Sequence, residues 1–362
     1  GSYIMPQARR EIKFSLFHRA FLAMEEIALA SSINALSGGM IFGLQGRKEK
    51  MAYTKENARI VYMGTPEISA TVLQGLIESG FHIVGVITNP DKPMGRKGIL
   101  TPSPVKMLAQ CFGIPVFQPM KIRLENDFLK DLNPDVIVTM AYGQIVPEAV
   151  LSCPKKGCIN LHGSLLPALR GAAPIQRAID LGLKQTGVTL MEMVKAMDAG
   201  QMYDTAIVPI EENDNYSTLA NKIGVAAREL IVKDLLPYLN DELPGTPQEE
   251  SLVTFANKIL PEDEKLDLSW PASRLLCRIK ALALTPGGYV YLGEEKLKIF
   301  SAHIVSGSDA APGTVTKAHK GFEVATGEGT LSLDLVQLQG KKTMDGKSFV
   351  NGYRDLEGKV LS

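Results

Sequence analysis

The sequence predicts an α/β protein with a Rossmann-like, mostly parallel sheet, followed by a C-terminal β-barrel of the oligonucleotide-binding (OB-like) type. Three observations support this fold class. Short apolar runs alternate with helical patterns over residues 58–240, which is typical of parallel βαβ units. Two prolines, a glycine and clustered acids over 241–252 argue against a regular element and indicate a linker. Five short strand patterns with glycine-rich turns follow in 253–362.

The elements of 58–240 follow from local sequence. Arg59–Met63 is a short apolar strand, and the turn Gly64-Thr65-Pro66 leads into a helix that Gly80 can cap. Ser103-Pro104 starts a further helix after a Pro/Gly loop over 89–102. The other strands are predicted at 81–88, 114–117, 135–140, 157–161, 187–194 and 202–210, and the other helices at 124–132, 172–181 and 216–239.

The C-terminal domain has one helix ahead of its strands. In the last strand, Leu331, Leu333 and Leu335 occupy alternate positions, so this strand has one apolar face. Five short strands and a helix suit a small OB-like barrel. The strands are predicted at 289–292, 296–304, 312–316, 321–326 and 330–338.

The first 57 residues lack this regularity, and we expect them to be a leader or N-terminal extension that is not part of the fold. Met51 is then the natural start. The alternative is an amphipathic helix over about 14–36, where phenylalanines recur at helical spacing. The uncharged run from Ile27 to Gly46 is too polar for a convincing transmembrane helix, so no membrane partner is expected.

Composition excludes several classes of protein. The chain has 362 residues, of which 45% are hydrophobic and 22% charged, so it is neither disordered nor a disulfide scaffold. Its four cysteines lack the paired spacing of a zinc site and indicate reduced thiols in the cytoplasm. The 39 basic and 39 acidic residues balance, although 209–250 is strongly acidic, so the whole molecule does not attract nucleic acid by net charge.

The first strand and turn suggest a dinucleotide site, but the details exclude one. The full GxGxxG spacing is absent after Met63. Thr88 and Asn89 also stand where the second strand of such a site ends in an acidic residue. We interpret Gly64-Thr65-Pro66 as a tight turn between strand and helix.

Three polar residues form the strongest candidate site. Asn160 and His162 are two residues apart at the end of an apolar strand, so both side chains leave from the same face. Asp198 follows a later strand, in a loop with Gly200. An amide donor, an imidazole and a carboxylate are the parts needed for acyl transfer. Taken singly, His162 also suits a structural role at a strand end, and Asp198 suits a turn.

The surrounding motifs resemble a known family. The string Asn160-x-His162-x-Ser164-Leu165-Leu166-Pro167, continued by Arg170-Gly171-Ala172-Ala173-Pro174-Ile175, resembles the signature of the 10-formyltetrahydrofolate-dependent formyltransferases. Thr186-Gly187-Val188-Thr189 and Met197-Asp198-Ala199-Gly200 resemble it too. The resemblance runs from Arg59 to Asn351 and is to the members that act on methionyl-tRNA, with the formyltransferase fold at 58–240 and a tRNA-binding domain at 253–362.

The resemblance implies a reaction and the residues for it. The α-amine of methionyl initiator tRNA would attack the formyl carbon of 10-formyltetrahydrofolate through a tetrahedral intermediate. Asn160 and His162 would hold the oxygen of that intermediate, and Asp198 would keep the imidazole charged or relay a proton through water. Neither a covalent enzyme nucleophile nor a metal is implied. The implied setting is a monomer in a bacterial cytoplasm.

The same resemblance assigns two binding regions. Ser164, Leu165, Leu166 and Pro167 would line the folate site, and Gln144, Ile145 and Val146 would add backbone and apolar contacts to the pterin. A helix start is the alternative for 144–146. The loop over 89–102 would reach the acceptor end of the tRNA through Lys92, Arg96 and Lys97, although a solvated basic loop has the same composition.

Other activities stay open at the level of sequence. Hydrolysis of 10-formyltetrahydrofolate and formylation of a sugar nucleotide would use the same three polar side chains. An RNA-binding protein with an inert α/β domain would need only the barrel and the basic loop. Substitution of Asn160 or His162 separates an enzyme from the RNA-binding protein, because only an enzyme has turnover to lose.

Overall fold

The fold is that of a computed structural model, which describes residues 51–362. The predicted leader up to residue 50 lies outside the described residues. The strands between residues 60 and 209 are β1 (Ile60–Gly64), β2 (Ile83–Ile87), β3 (Lys92–Met94), β4 (Ile99–Thr101), β5 (Val116–Phe117), β6 (Val136–Met140), β7 (Cys158–His162), β8 (Gln185–Glu192) and β9 (Met202–Pro209). The helices among them are α1 (Glu67–Glu78), α2 (Pro104–Cys111), α3 (Phe128–Leu132), α4 (Glu148–Leu151), α5 (Pro174–Asp180) and α6 (Tyr216–Leu239).

Seven of these strands form one sheet in the order β5-β2-β1-β6-β7-β8-β9. Strand β1 pairs in parallel with β2 and β6, and β2 pairs in parallel with β5, whereas β8 and β9 are antiparallel. Every residue of β1 and β6 is buried, as expected where helices cover both faces of a parallel sheet. The prediction of a mostly parallel α/β sheet is confirmed.

The helix starts follow the predicted signals. Ser103 precedes α2, and its Oγ accepts a hydrogen bond from the backbone N of Lys106 at 3.0 Å, with Pro104 in the first turn. Helix α3 is shorter than predicted and begins at Phe128 rather than 124. Among the described residues, no helix combines the length and the apolar composition needed to cross a membrane.

The region predicted as a Pro/Gly loop over 89–102 contains a β-hairpin. Strands β3 and β4 pair antiparallel, with Lys92 opposite Thr101. Between them, Gly95 and Gly98 have φ of 70° and 59°, in the left-handed region that glycine adopts readily. The prolines and glycines concealed two three-residue strands, which carry too few residues for a periodic pattern.

The chain divides into two compact units, one of residues up to Ile159 with Ile231–Pro244, the other of Asn160–Leu230 with Gly245–Ser362. In the first unit, the backbone N of Tyr53 donates to Asn240 Oδ1 at 2.8 Å, so residues just ahead of the predicted boundary at 58 contact the fold. The predicted domain bounds stay a prediction.

The second unit contains a smaller antiparallel sheet. Its strands are β10 (Gly288–Leu292), β11 (Glu295–Val305), β12 (Val315–Lys317), β13 (Glu323–Ala325), β14 (Thr330–Leu338) and β15 (Met344–Asp345), and its helices are α7 (Pro261–Glu264), α8 (Ala272–Leu282) and α9 (Gly346–Asn351). The order is β10-β11-β14-β13-β12, with β15 beside β14. The C-terminal β-sheet domain is confirmed. Strands β10 and β12 do not pair directly within 51–362. Residues 358–362 bond to both of them, because Ser362 exchanges two backbone hydrogen bonds with Tyr291 of β10, and Val315 of β12 bonds to the backbone of Gly358 and Lys359. Closure into an OB-like barrel stays a prediction.

An ion cluster joins α5 to α8 in the second unit. Asp180 accepts hydrogen bonds from Arg278 Nε at 2.7 Å and from Arg274 Nη1 at 2.8 Å. Arg177 Nη1 lies 3.3 Å from Asp180 Oδ2, and Arg177 Nη2 donates to Asp263 Oδ2 at 2.9 Å. Burial raises the pKa of Asp180, but the hydrogen bonds from Arg278 and Arg274 outweigh it and hold that pKa below its ordinary value.

Residues 245–257 are anchored despite their irregular sequence. Thr246 and Met202 exchange two backbone hydrogen bonds of 2.8 Å. A 3₁₀ turn spans Glu250–Leu252. Beyond it, the backbone of Ala256 donates to the carbonyl oxygen of Arg170 at 2.6 Å. This segment, called here the strap (residues 245–257), therefore pairs with the start of β9 and with the loop at Arg170 of the same unit.

Candidate active site

The candidate site lies at the carboxyl end of β7. Cys158, Ile159 and Leu161 are buried in this strand, while Asn160 is half-buried and His162 ends the strand. Two-residue spacing puts the side chains of Asn160 and His162 on one face of β7. The carboxyl ends of strands are where open α/β sheets bind ligands.

Both nitrogens of His162 face oxygen atoms. The Nε2 atom is 2.8 Å from the carbonyl oxygen of Leu169, an acceptor, so Nε2 carries the proton and donates it. The Nδ1 atom is 3.6 Å from Asp198 Oδ1. The structure thus brings two of the three predicted polar residues together. It also makes Nδ1 the ring nitrogen that remains for a substrate.

Asp198 is held at a strained loop position. Its φ of 54° is unusual for a residue with a side chain. Its Oδ2 accepts a hydrogen bond from the backbone N of Gly171 at 2.8 Å, which leaves Oδ1 for the imidazole. Gly200 permits the loop, because a Cβ atom there would lie 1.9 Å from the carbonyl oxygen of Glu192.

The predicted folate residues 164–167 form a hydrogen-bonded loop beside His162. Ser164 is fully buried, and its Oγ donates to the carbonyl oxygen of Ala168 at 2.6 Å. Thr189 Oγ1 donates to the Ser164 carbonyl and accepts from Leu166 N. The Ser164 hydroxyl therefore shapes the loop, while Leu165 and Pro167 are half-buried.

The cysteine of β7, Cys158, has an unreactive thiol. Burial raises the pKa of the Cys158 thiol to about 12, with the neighbouring Cys153 adding to the shift. The thiol is therefore protonated at neutral pH and is a poor nucleophile. Among residues 51–362, no group of three or more His, Cys, Asp or Glu side chains is placed to hold a metal ion.

Gln144, Ile145 and Val146 lie in the first unit and are not a helix start, because α4 begins at Glu148. The Gln144 side chain is fully engaged: Nε2 donates to Asn89 Oδ1 and the Pro119 carbonyl, and Oε1 accepts from Ile122 N. Only its backbone is available to a ligand. The side chain of Ile145 is 81% exposed, which is unusual for isoleucine.

The predicted tRNA residues lie on the β3–β4 hairpin of the first unit. Lys92, Arg96 and Lys97 are all exposed there. A further lysine of this region, Lys106, instead forms an ion pair with Asp91, with 3.0 Å between Nζ and Oδ1. Hydrogen bonds from Gln118 and Lys106 hold the pKa of Asp91 below its ordinary value. Within residues 51–362, no ion pair is recorded for Lys92, Arg96 or Lys97, so the described part of the chain leaves positive charge on the hairpin.

Sequence reasoning missed several contacts that organise the site. Arg170 Nε donates to Gln248 Oε1 at 2.9 Å, and Thr254 Oγ1 accepts from Leu169 N at 2.9 Å. Both Gln248 and Thr254 belong to the strap, and each is at least 50 residues from Asp198 and from Leu169 in sequence. Only the folded chain brings them to the loops of His162 and Asp198.

Comparisons with known proteins agree with the motifs. The family model described as "Formyl transferase" matches residues 58–235, and "Formyl transferase, C-terminal domain" matches 258–354. The methionyl-tRNA formyltransferase of Bacillus subtilis (strain 168) is 46% identical over 308 residues, which are 84% of this chain and 97% of the relative. That of Bacillus velezensis is 44% identical with the same coverage.

Among solved structures, an N-formyltransferase of Helicobacter canadensis in complex with folinic acid and dTDP-3-aminofucose is similar, with a TM-score of 0.61. It is 17% identical, and the match covers 76% of this chain and 98% of that one. At this identity the likeness concerns the fold alone.

Proposed function

The chain belongs to the formyl transferase family, and we propose that it transfers the formyl group of 10-formyltetrahydrofolate to the α-amine of methionyl initiator tRNA. The observation that carries the proposal is the His162–Asp198 pair beside Asn160, in a chain whose 44% and 46% identical relatives are methionyl-tRNA formyltransferases. The product is formyl-methionyl-tRNA for translation initiation.

The reaction balances without a covalent enzyme intermediate. The neutral amine nitrogen bonds to the formyl carbon, whose oxygen becomes negatively charged in the tetrahedral intermediate. The bond from that carbon to N10 of the folate then breaks, and the proton lost by the amine goes to N10. An α-amine has a pKa of about 7.7 to 8.0 in model compounds, so a substantial neutral fraction is present at neutral pH.

Three side chains suit this charge development. Asn160 would donate a side-chain N–H to the oxyanion, as amide donors do in acyl transfer. His162 would act through Nδ1, because Nε2 already donates to the Leu169 carbonyl. Asp198 Oδ1, at 3.6 Å from Nδ1, would stabilise a positive charge on the ring or relay the amine proton through water.

Binding would use the two predicted regions. The backbone of Ser164–Pro167 and the side chains of Leu165, Leu166 and Pro167 would contact the folate, since the Ser164 hydroxyl is engaged with Ala168. The exposed side chain of Ile145 supports the predicted apolar contact by Gln144–Val146. Lys92, Arg96 and Lys97 would bind tRNA phosphates, with an affinity that falls as salt rises.

We further propose that the protein acts as a monomer in the bacterial cytoplasm and binds no membrane. Its functional partners are then the charged tRNA and the folate. Gel filtration combined with light scattering of the full chain measures the oligomeric state directly, and a mass near twice 39.3 kDa would contradict the monomer.

An acceptor panel tests the proposed function. Labelled 10-formyltetrahydrofolate is incubated with the full chain and methionyl initiator tRNA, a dTDP-amino sugar, or water alone. We expect label on the methionine only when charged tRNA is present. Rapid loss of formyl groups in water alone would instead indicate a hydrolase, and label on the sugar would indicate a sugar-nucleotide formyltransferase.

A further inference from the structure

We infer that Gln248 is a positioning residue for formyl transfer, which acts by fixing the Asp198 loop from the strap. The inference rests on the proposed function, since it assigns Gln248 a role in that reaction. Within residues 51–362, the side chain of Gln248 forms hydrogen bonds with Arg170, Asp198 and Gly200, and none with His162 or the predicted folate loop. Its effect therefore has to pass through Asp198.

The side-chain amide of Gln248 clamps both sides of the Asp198 turn. Its Nε2 donates to the carbonyl oxygen of Asp198 at 2.7 Å and to that of Gly200 at 2.9 Å. These two bonds use both N–H groups of the amide. They fix the backbone of the turn on either side of Ala199. The orientation of the Asp198 carboxylate depends on this backbone.

Asp198 needs such a constraint. With φ at 54° its backbone is in a sparsely populated region, and such a conformation persists only where surrounding contacts enforce it. Its carboxylate has one anchor, the bond from Gly171 N to Oδ2 at 2.8 Å. The bonds from Gln248 supply the second anchor, at the backbone, so that Oδ1 stays directed at His162.

The amide of Gln248 is itself oriented. Arg170 Nε donates to its Oε1 at 2.9 Å, which places the NH₂ group towards the two carbonyl oxygens. Arg170 is buried, and its Nη2 pairs with Glu250 at 2.9 Å. A buried guanidinium held by two strap residues leaves only one favourable orientation for the amide.

Gln248 can be altered without releasing the strap. The strap has backbone bonds of its own, between Thr246 and Met202 and between Ala256 and Arg170. These do not involve the Gln248 side chain. Its removal should therefore loosen the Asp198 turn while the strap remains attached, and a loss of rate would then reflect positioning rather than unfolding.

The test compares Gln248→Met and Gln248→Glu in the full chain. Methionine has a similar length but no hydrogen bonds, whereas glutamate still accepts from Arg170 but cannot donate to the two carbonyls. Both variants should lose about tenfold to a hundredfold in kcat for methionyl-tRNA formylation, because small misplacements of a catalytic group have effects of this size. KM values for both substrates should stay within about threefold of wild type, since ground-state binding is untouched.

The neighbouring Glu249→Ala is the matched control. Glu249 is exposed, and its side chain accepts a hydrogen bond from Ser251 Oγ within the strap. The kcat of Glu249→Ala should therefore equal that of the unchanged chain. In an Asp198→Asn background, Gln248→Met should lower kcat little further, because a residue that acts by positioning the Asp198 carboxylate has no effect once that carboxylate is absent. Melting curves check that each variant is folded.

Two results would overturn the inference. One is a wild-type kcat in both Gln248 variants. The other is that Gln248→Met lowers kcat by the same factor in the Asp198→Asn background as in the wild type. If the unchanged chain transfers no formyl group to methionyl-tRNA, the proposed function fails and the inference fails with it. Normal transfer by the unchanged chain together with unaffected Gln248 variants refutes the positioning role alone.

Discussion

Replacing Asp198 with asparagine removes one charge from the site and little else. The two side chains have nearly the same size, and the amide oxygen can still accept the hydrogen bond from Gly171 N that now goes to Oδ2 at 2.8 Å. The bonds from Gln248 reach the backbone carbonyl of residue 198 and do not depend on its side chain. We therefore expect a folded protein with an unchanged loop.

The loss follows from the distance between the Asp198 carboxylate and the His162 imidazole, on which the proposed reaction would place a positive charge. Opposite unit charges 3.6 Å apart attract by about 4.6 kcal/mol at an effective dielectric constant of about 20, and by about 1.2 kcal/mol in bulk water. His162 and Asp198 are only 6% and 13% exposed, so the energy lies well above the value in water. At about 1.36 kcal/mol per tenfold in rate, kcat should fall about 10²-fold to 10³-fold.

The assay is steady-state formylation of methionyl initiator tRNA by Asp198→Asn, with melting temperatures measured in parallel. Asp131→Asn is the matched control, because Asp131 is exposed on α3 in the other unit and should have wild-type kinetics. A loss below about threefold in a folded variant would show that the charge of Asp198 does not stabilise the transition state.

Two further variants test other parts of the structure. Arg96→Ala should raise KM for the tRNA severalfold, and most at low salt, while KM for 10-formyltetrahydrofolate stays unchanged. The control Arg123→Ala, at another exposed arginine, should have wild-type kinetics. Equal tRNA kinetics in wild type, Arg96→Ala and Arg123→Ala would contradict the role of the hairpin. Asp180→Asn should destabilise the second unit by about 3–5 kcal/mol at pH 7 in denaturant unfolding, because it removes the buried carboxylate that pairs with Arg278 and Arg274. The pKa of Asp180 is lowered in the folded state, so its contribution to the free energy of unfolding is complete above the unfolded value of about 3.8 and is lost as pH falls through the lower folded value. The difference in stability between wild type and Asp180→Asn should therefore shrink below about pH 4. A difference in stability that does not depend on pH would contradict the ion cluster.

Much of the fold could be predicted from local pattern, because long periodic segments and capping signals leave little choice. Helix α6 was predicted with the bounds it has, 216–239, and β14 with its bounds, 330–338. The hairpin β3–β4 was missed, since two strands of three residues with Pro93 and two flanking glycines resemble a loop. The backbone bonds of residues 358–362 to β10 and β12 were not predicted, because five residues are too few for a periodic pattern.

The candidate site could be predicted as residue types but not as a hydrogen-bond network. Motifs pointed to His162 and Asp198, and the fold brings them within 3.6 Å, while their catalytic roles stay a prediction. Sequence could not show that Leu169 occupies Nε2 of the imidazole, because the acceptor is a backbone oxygen that any residue carries. Nor could it select Gln248, because this residue lies in a stretch predicted to be a linker without regular structure.

The most direct test of the central claim measures formyl transfer and tRNA binding in the same preparations of wild type and His162→Ala. We predict that the wild type forms formyl-methionyl-tRNA from 10-formyltetrahydrofolate, and that His162→Ala loses orders of magnitude in kcat while its affinity for the tRNA and its melting temperature stay close to those of the wild type. A folded His162→Ala variant that transfers the formyl group at nearly the wild-type rate would contradict the site, and a wild type that binds tRNA without any transfer would contradict the function.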